Sequence, residues 1–170
     1  MKNFLAFVAF LAVAAPALAQ EPKPYSNKEW NFSAVFPYAV KEQPGPEGGS
    51  GITVASANAE DTIAYMISVF TISDEVLAKK PQAKILADAV EGANDNVKGK
   101  LLRSVDIKMG PYPGKAFDIQ SDAFIATCRI YLVGNRMYLP MVIAKPELKL
   151  PISAPAFHDA FKVSYKPTKK

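Results

Sequence analysis

The strongest constraint on the fold is a pair of alternating apolar runs joined by Gly134 and Asn135. The runs cover 128–133 and 136–143, and aliphatic and aromatic residues dominate both. A two-residue Gly-Asn connection between such runs is typical of a tight β-hairpin. We therefore predict two antiparallel strands whose register is fixed by the turn, with the residues that flank the turn directly opposite each other.

The turn also decides which side chains share a face of this hairpin, since neighbours along a strand point to opposite sides. One face is aliphatic and sulfur-containing and is predicted to be core: Cys128, Ile130, Leu132, Met137, Leu139, Met141 and Ile143. The other face combines cations with aromatic rings, which are enriched at protein interfaces. Its candidate interaction surface consists of Arg129, Tyr131, Arg136 and Tyr138. The alternative is that helices cover this face and that the tyrosine rings belong to the core.

Other segments also have the two-residue period of strands. A half-buried strand is predicted from Trp30 to Phe36, where Pro37 ends it. The segment 62–72 is apolar at both odd and even positions, so we expect it inside the sheet with both faces covered. Further strands are expected at 52–56, 104–109 and 117–119, the last two joined by a turn at 110–114.

Two segments have helical spacing. Apolar residues recur every three or four positions through 81–97. Ser153 is predicted to cap a second helix, with Pro155 in its first turn. Phe157 and Phe161 lie one turn apart on this helix and are expected to face the sheet. The order of these elements, with mostly hairpin connections, predicts an α+β fold in which helices cover a mostly antiparallel β-sheet.

The N-terminus has the pattern of a secretory signal peptide. A lysine precedes a run of apolar residues, and Ala17-Leu18-Ala19 forms a small-x-small cleavage site. We predict cleavage after Ala19, and hence a periplasmic or secreted protein with no membrane span once the signal is removed. The remaining chain is divided into a flexible lead-in at 20–28, one α+β domain at 29–165 and a basic tail at 166–170.

Composition excludes several classes of site. One cysteine, Cys128, cannot form an intramolecular disulfide or a cysteine-based zinc cage, and one histidine, His158, excludes a two-histidine metal site. The net charge of +4 is too small to indicate nucleic-acid binding. We find no motif for a nucleophile, a phosphate-binding loop or a calcium loop, and so predict no catalytic residue, no metal and no cofactor. Cys128 is expected to be buried, and His158 to be an exposed or half-exposed residue of the last helix.

Four groups of residues, taken in order, resemble a known fold family. They are Trp30-x-Phe32-x-x-x-Phe36-Pro37, Gly110-x-x-Pro113-Gly114-x-x-Phe117, Arg129-x-Tyr131-Leu132-Val133-Gly134-Asn135-Arg136-x-Tyr138 and Phe157-x-x-x-Phe161-Lys162-Val163. Their order and spacing are similar to those of bacterial secreted domains related to the PsbP/Mog1-like α-β-α sandwich. The resemblance implies that fold. It also implies an accessory binding role, because members of that superfamily act as extrinsic photosystem subunits or bind a small GTPase. It supplies no catalytic residues.

The sequence therefore favours a non-enzymatic periplasmic accessory or binding protein whose partner is a protein or a small ligand. The alternative is a small periplasmic hydrolase or ligand-processing enzyme whose acid site has no recognisable sequence motif. A concave pocket with converging titratable groups of shifted pKa would favour the enzyme. A third hypothesis is a scaffold that associates through an exposed edge of the sheet.

Overall fold

The computed structural model describes residues 22–45, 51–58 and 60–164, so the predicted signal peptide and basic tail lie outside the described residues. In chain order the elements are β1 (Lys23–Asn27), β2 (Phe32–Phe36), β3 (Val40–Pro44), β4 (Gly51–Ala57), β5 (Ile63–Thr71), α1 (Asp74–Lys79), α2 (Gln82–Asn96), β6 (Lys100–Met109), β7 (Tyr112–Gln120), β8 (Ile125–Val133), β9 (Arg136–Ala144), α3 (Ala154–Ala160) and β10 (Lys162–Val163). Within the described ranges, no helix has the length and apolar content needed to cross a membrane.

Seven strands form one antiparallel sheet in the order β3-β4-β5-β9-β8-β7-β6. The hairpin of β8 and β9 has the predicted register, with Tyr131 opposite Tyr138. Gly134 adopts a left-handed φ of 61°, which suits the first position of a tight hairpin turn. β5, which is apolar on both sides, lies between β4 and β9 as expected. The prediction of an α+β fold with a mostly antiparallel sheet is confirmed.

A second, smaller sheet contains β1, β2 and β10. Its first strand corrects the prediction of a flexible lead-in at 20–28, because Lys23–Asn27 pairs with β2 along its whole length. β1 contains Pro24, which it tolerates because it is an edge strand. The centroid of the Tyr25 ring lies 5.8 Å from those of both Phe32 and Phe36. The sequence patterns also do not predict β3 and β10, which are short and have only half-buried or exposed side chains.

One face of the large sheet packs against α2, and we call it the aliphatic face. Ile85, Leu86 and Val90 of α2 are buried against it. The sheet contributes the side chains that alternation in the β8–β9 hairpin predicts to be core, among them Leu132. Cys128 is buried here as expected, and burial raises the pKa of its thiol. The thiol therefore stays protonated and unreactive at neutral pH.

The opposite face packs against the small sheet and α3, and we call it the aromatic face. Phe157 and Phe161 are both buried, as their spacing predicts. The Phe161 ring lies among the rings of Phe32, Tyr131 and Tyr138, at 6.1 Å between centroids in each pair. One side chain at the end of α3 thus contacts both sheets.

A contact to the sheet, rather than a side-chain cap, fixes the start of α3. Pro155 lies in its first turn as expected, and Ser153 immediately precedes it. The Ser153 side chain makes no capping hydrogen bond, which corrects the role predicted for it. Its hydroxyl lies instead 2.5 Å from the hydroxyl of Tyr65 on β5, so the serine ties the helix to the sheet.

Candidate functional site

The predicted interaction surface lies on the aromatic face, where other parts of the chain cover its two tyrosines. Tyr131 and Tyr138 are 5% and 0% exposed. The Tyr131 ring stacks on Phe161 with an interplanar angle of 13°, and the Tyr138 hydroxyl donates a 3.0 Å hydrogen bond to the carbonyl of Trp30. An exposed surface is therefore the wrong prediction for both tyrosines. The alternative of a covered face applies, because Phe161 at the end of α3 packs on both rings.

Arg129 and Arg136 are half-buried at the margins of this face, and both make contacts within the chain. Arg129 donates to Asp159 beside it, with 2.8 Å between Nη1 and Oδ1. The Arg136 guanidinium lies 5.0 Å from the centroid of the Trp30 ring and donates to the carbonyl of Glu29. These contacts hold α3 and the turn before β2 against the sheet, which gives both arginines a packing role.

His158 is a further correction, because it is buried rather than exposed. Only 4% of its surface is accessible, and its ring lies beside that of Phe157. Buried positions recur at Ala154, Phe157, His158 and Phe161, which is the i, i+3, i+4, i+7 stripe of a helix packed on one side. That spacing is present in the sequence and is the signal that places His158 inside. A histidine ring is polar and has an ordinary pKa near 6.5, and these properties alone favour an exposed position.

The surroundings of His158 disfavour its protonated form. Burial, followed by the positive charge of Arg129, lowers the pKa of His158 to about 4. The backbone of Thr127 and the carboxylates of Asp159 and Asp118 act in the opposite direction with smaller effect. Neither ring nitrogen makes a hydrogen bond of good geometry within the described residues. The imidazole is therefore neutral at neutral pH, and packing holds it in place.

A small charge cluster surrounds this histidine, and we define it as Arg103, Asp118, Arg129, His158 and Asp159. Arg103 Nε lies 3.0 Å from one carboxylate oxygen of Asp118. The other Asp118 oxygen is buried without a hydrogen-bond partner in the described part of the chain. Arg129 and Asp159 form the second ion pair. Two cations balance two carboxylates, so with a neutral histidine the cluster has no excess charge that would attract an ionic ligand.

A shallow surface cavity of about 370 Å³ lies at the start of β6 and the end of β7. Its lining residues are Lys98, Gly99, Lys100, Gln120, Ser121 and Asp122. No member of the charge cluster lines this cavity. The titratable cluster and this cavity are therefore separate features.

An open edge of the large sheet is formed by β6. The strand is ten residues long, and among the described strands it pairs only with β7. A bulge interrupts the pairing between Leu101 and Arg103, and the register is regular from Arg103 to Met109. Leu101, Leu102 and Val105 are 40%, 46% and 44% exposed. The edge thus offers backbone hydrogen-bonding groups beside apolar side chains.

The other edge of the same sheet, β3, is protected. It is only five residues long and ends in Pro44, which has no backbone N–H to donate. Glu42 of β3 accepts a 2.5 Å hydrogen bond from the hydroxyl of Tyr25 on β1. Short length and proline are devices that prevent edge-to-edge pairing, and β6 has neither of them; its own devices of this kind are its lysines and the bulge, which leave the part from Arg103 to Met109 regular.

Comparison with known proteins identifies the fold. No family model and no curated protein matches the chain. The solution structure of cyanobacterial PsbP (CyanoP) from Synechocystis sp. PCC 6803 matches with a TM-score of 0.63 at 8% sequence identity, over 89% of this chain and 97% of that one. This chain has the PsbP-like fold. The crystal structure of PA94, a protein of unknown function from Pseudomonas aeruginosa, matches with a TM-score of 0.49 at 13% identity, over 89% of this chain and 100% of that one.

The PsbP-like fold confirms the resemblance seen in the ordered sequence motifs. Among the described residues, no cluster of three or more histidine, cysteine, aspartate or glutamate side chains is arranged to hold a metal ion.

The sequence alternation also predicts β6 as a strand, but not that it forms an edge. An edge is a property of the strand order, and local patterns do not encode that order.

Proposed function

We propose that this chain is a non-enzymatic binding protein that engages a protein partner through β6. The observation that carries the proposal is the exposure of Leu101, Leu102 and Val105 on an edge strand. Unpaired backbone groups flanked by apolar side chains are a template on which a strand of another protein can pair. The two faces of the sheet are already packed, which leaves this edge for a partner.

The proposed location is the periplasm, after export and cleavage. Its support is the pattern of residues 1–19, which ends in Ala17-Leu18-Ala19. Intact-mass measurement of protein from the native periplasm is expected to show a chain that begins at Gln20. A mature protein that still carries Met1 would contradict this location.

A finer description of the architecture is also proposed, namely the α-β-α sandwich of the PsbP/Mog1-like superfamily. Its support is that α2 packs on the aliphatic face while α3, together with the small sheet, packs on the aromatic face. The resemblance of the sequence motifs to that superfamily favours an accessory binding role over catalysis.

One observation favours the alternative, a small hydrolase or ligand-processing enzyme. His158 is neutral at neutral pH and lies near the carboxylates of Asp118 and Asp159, as a general base does. The enzyme hypothesis predicts hydrolysis of simple esters or phosphate monoesters, and loss of that activity in a folded His158→Gln variant. The binding hypothesis predicts no turnover by either protein.

Site-specific photo-cross-linking in the native host tests the binding function. A photoreactive amino acid in place of Leu102 is compared with the same substitution at Ile152, an apolar residue that is 99% exposed and lies outside β6. We expect one protein adduct from the Leu102 position and none from Ile152. The purified partner should then bind the purified chain. Equal labelling from both positions, or no adduct at Leu102, would refute engagement through β6.

A further inference from the structure

We infer that the partner segment paired with β6 is an extended strand that carries acidic side chains between apolar ones. This inference rests on the proposed function, and it adds the chemistry of the partner. Three observations carry it: the charge along the edge, the regular part of its backbone and the cavity at its start.

The charge along the edge is positive. Lys98, Lys100 and Lys108 are exposed and form no ion pair within the described residues. The other charged residues of the strand, Arg103 and Asp106, form ion pairs with side chains of β7. Among the described residues, Lys100 and Lys108 of β6 and Lys98 just before it therefore place three positive charges along one edge without a side-chain ion pair. Carboxylates of an added strand would complement them.

The regular part of the edge determines how side chains are spaced along the partner strand. From Arg103 to Met109 the backbone has no bulge, so an added strand finds a regular ladder of hydrogen-bonding groups there. Side chains directly opposite each other on paired strands lie about 5 Å apart. A partner with an apolar side chain beside Val105 therefore places side chains of its opposite face within reach of Lys108, whereas Lys100 lies beyond the bulge, next to the cavity. Alternating apolar and acidic residues satisfy both kinds of contact.

The cavity extends the same surface beyond the start of the strand. Lys98 and Lys100 contribute to its lining, and Asp122 is the acidic residue among the six that line it. An acidic side chain, or the terminal carboxylate of a partner strand, suits this balance of charge. The edge and the cavity thus favour the same ligand chemistry.

A second copy of this chain is a less favourable occupant of the edge. Pairing of two β6 strands would bring a second set of the same lysines beside the first, and like charges on adjacent strands are destabilising. A foreign strand with carboxylates has no such cost. The lysines also discourage pairing with an uncharged strand, which is a common role of lysine at exposed edges.

Fluorescence anisotropy with synthetic peptides tests this chemistry on the mature chain. The probe is a fluorescein-labelled nine-residue peptide of alternating valine and glutamate, and the comparison peptide replaces each glutamate by lysine. A third peptide keeps the glutamates but carries N-methyl groups on alternate amides, which removes backbone donors. We expect saturable binding of the glutamate peptide alone. Equal binding of all three peptides, or no binding of the glutamate peptide, would overturn the inference.

Charge reversal on the protein makes the test specific to β6. The double variant Lys100→Glu with Lys108→Glu is expected to bind the glutamate peptide about tenfold more weakly, the effect of two lost surface pairs, and to gain affinity for the lysine peptide. The matched control reverses Lys23 and Lys41, exposed lysines on β1 and on the protected edge β3, and should bind like the parent chain. Equal losses in both double variants would contradict a site at β6.

Two outcomes separate this inference from the proposed function. A cross-linked partner at Leu102 together with no preference for the glutamate peptide would remove the acidic chemistry and leave binding through β6 in place. A dimer in sedimentation equilibrium that Val105→Lys dissociates would instead make a second copy the occupant, and would overturn the inference.

Discussion

The two faces of the seven-stranded sheet are both covered, but by different chemistry. The aliphatic face receives one helix, α2, and its buried side chains are almost all aliphatic or sulfur-containing. The Thr53–Ser68 hydroxyl pair is a polar exception on this side. The aromatic face receives a short helix and a second sheet, and its rings are anchored by hydroxyl contacts such as Tyr138 to the Trp30 carbonyl.

The two layers differ in how strictly they depend on the identity of each buried residue. An aliphatic layer depends mainly on volume and tolerates substitutions of similar size. Rings with preferred geometries and buried polar groups depend on the position of each neighbour. We therefore expect single substitutions to affect the aromatic face more strongly, and acid to act mainly on that face.

The largest effect is expected from Phe161→Ala. The ring contacts both sheets, and its removal should lower the free energy of unfolding by about 3–5 kcal/mol, out of a total of about 5–15 kcal/mol. The matched substitution on the aliphatic face is Leu86→Ala, with an expected loss of about 2–5 kcal/mol. Urea denaturation at constant slope measures both. A smaller loss for Phe161→Ala than for Leu86→Ala would reverse the ranking of the two faces.

Acid should destabilise the protein through His158. Its pKa falls from 6.5 to about 4 on folding, so the unfolded chain takes up the proton first as the pH falls. The resulting stability is present above pH 6.5 and is lost as the pH falls to about 4, by an amount on the order of 3 kcal/mol. Urea midpoints at several pH values measure this loss. His158→Gln should abolish most of the dependence in that window, and an unchanged slope would show that other groups cause it.

Tyr138→Phe should cost less, about 0.5–1.5 kcal/mol, because it removes one hydroxyl but keeps the ring. The substitution leaves the Trp30 carbonyl without the 3.0 Å hydrogen bond that the hydroxyl donates. Thermal or urea unfolding detects a change of this size. No change, together with the known burial of the hydroxyl, would mean that water replaces the lost donor.

The smallest effect on stability is expected from ionisation of the Cys128 thiol, on the aliphatic face. Burial raises the pKa of this thiol. Its contribution to the free energy of unfolding is therefore present below the ordinary pKa of 9.0 and is lost only as the pH rises above that value. His158 on the aromatic face and Cys128 on the aliphatic face thus titrate at opposite ends of the pH range. A thiol reagent should label the native protein slowly and the urea-unfolded protein rapidly. Rapid native labelling would place Cys128 outside the core.

Local patterns in the sequence predict much of this fold. The Gly134-Asn135 turn sets the hairpin register, and the spacing of Phe157 and Phe161 sets the buried side of the last helix. The short strands β1, β3 and β10 escape prediction because backbone pairing with β2 or β4, rather than an apolar pattern of their own, stabilises them. The prediction of an exposed surface is wrong for Tyr131 and Tyr138 for a related reason, since the elements that cover these tyrosines come from distant parts of the chain.

Amide hydrogen exchange tests the central claim that β6 is the edge a partner occupies. In the free chain, amides of Lys100–Met109 are expected to exchange faster than those of β9, which is paired on both sides. Saturation with the valine–glutamate peptide should slow exchange in β6 and leave Val40–Pro44 of β3 unchanged. Slow exchange in β6 before any peptide is added would contradict the account, and so would protection that appears at β3 instead.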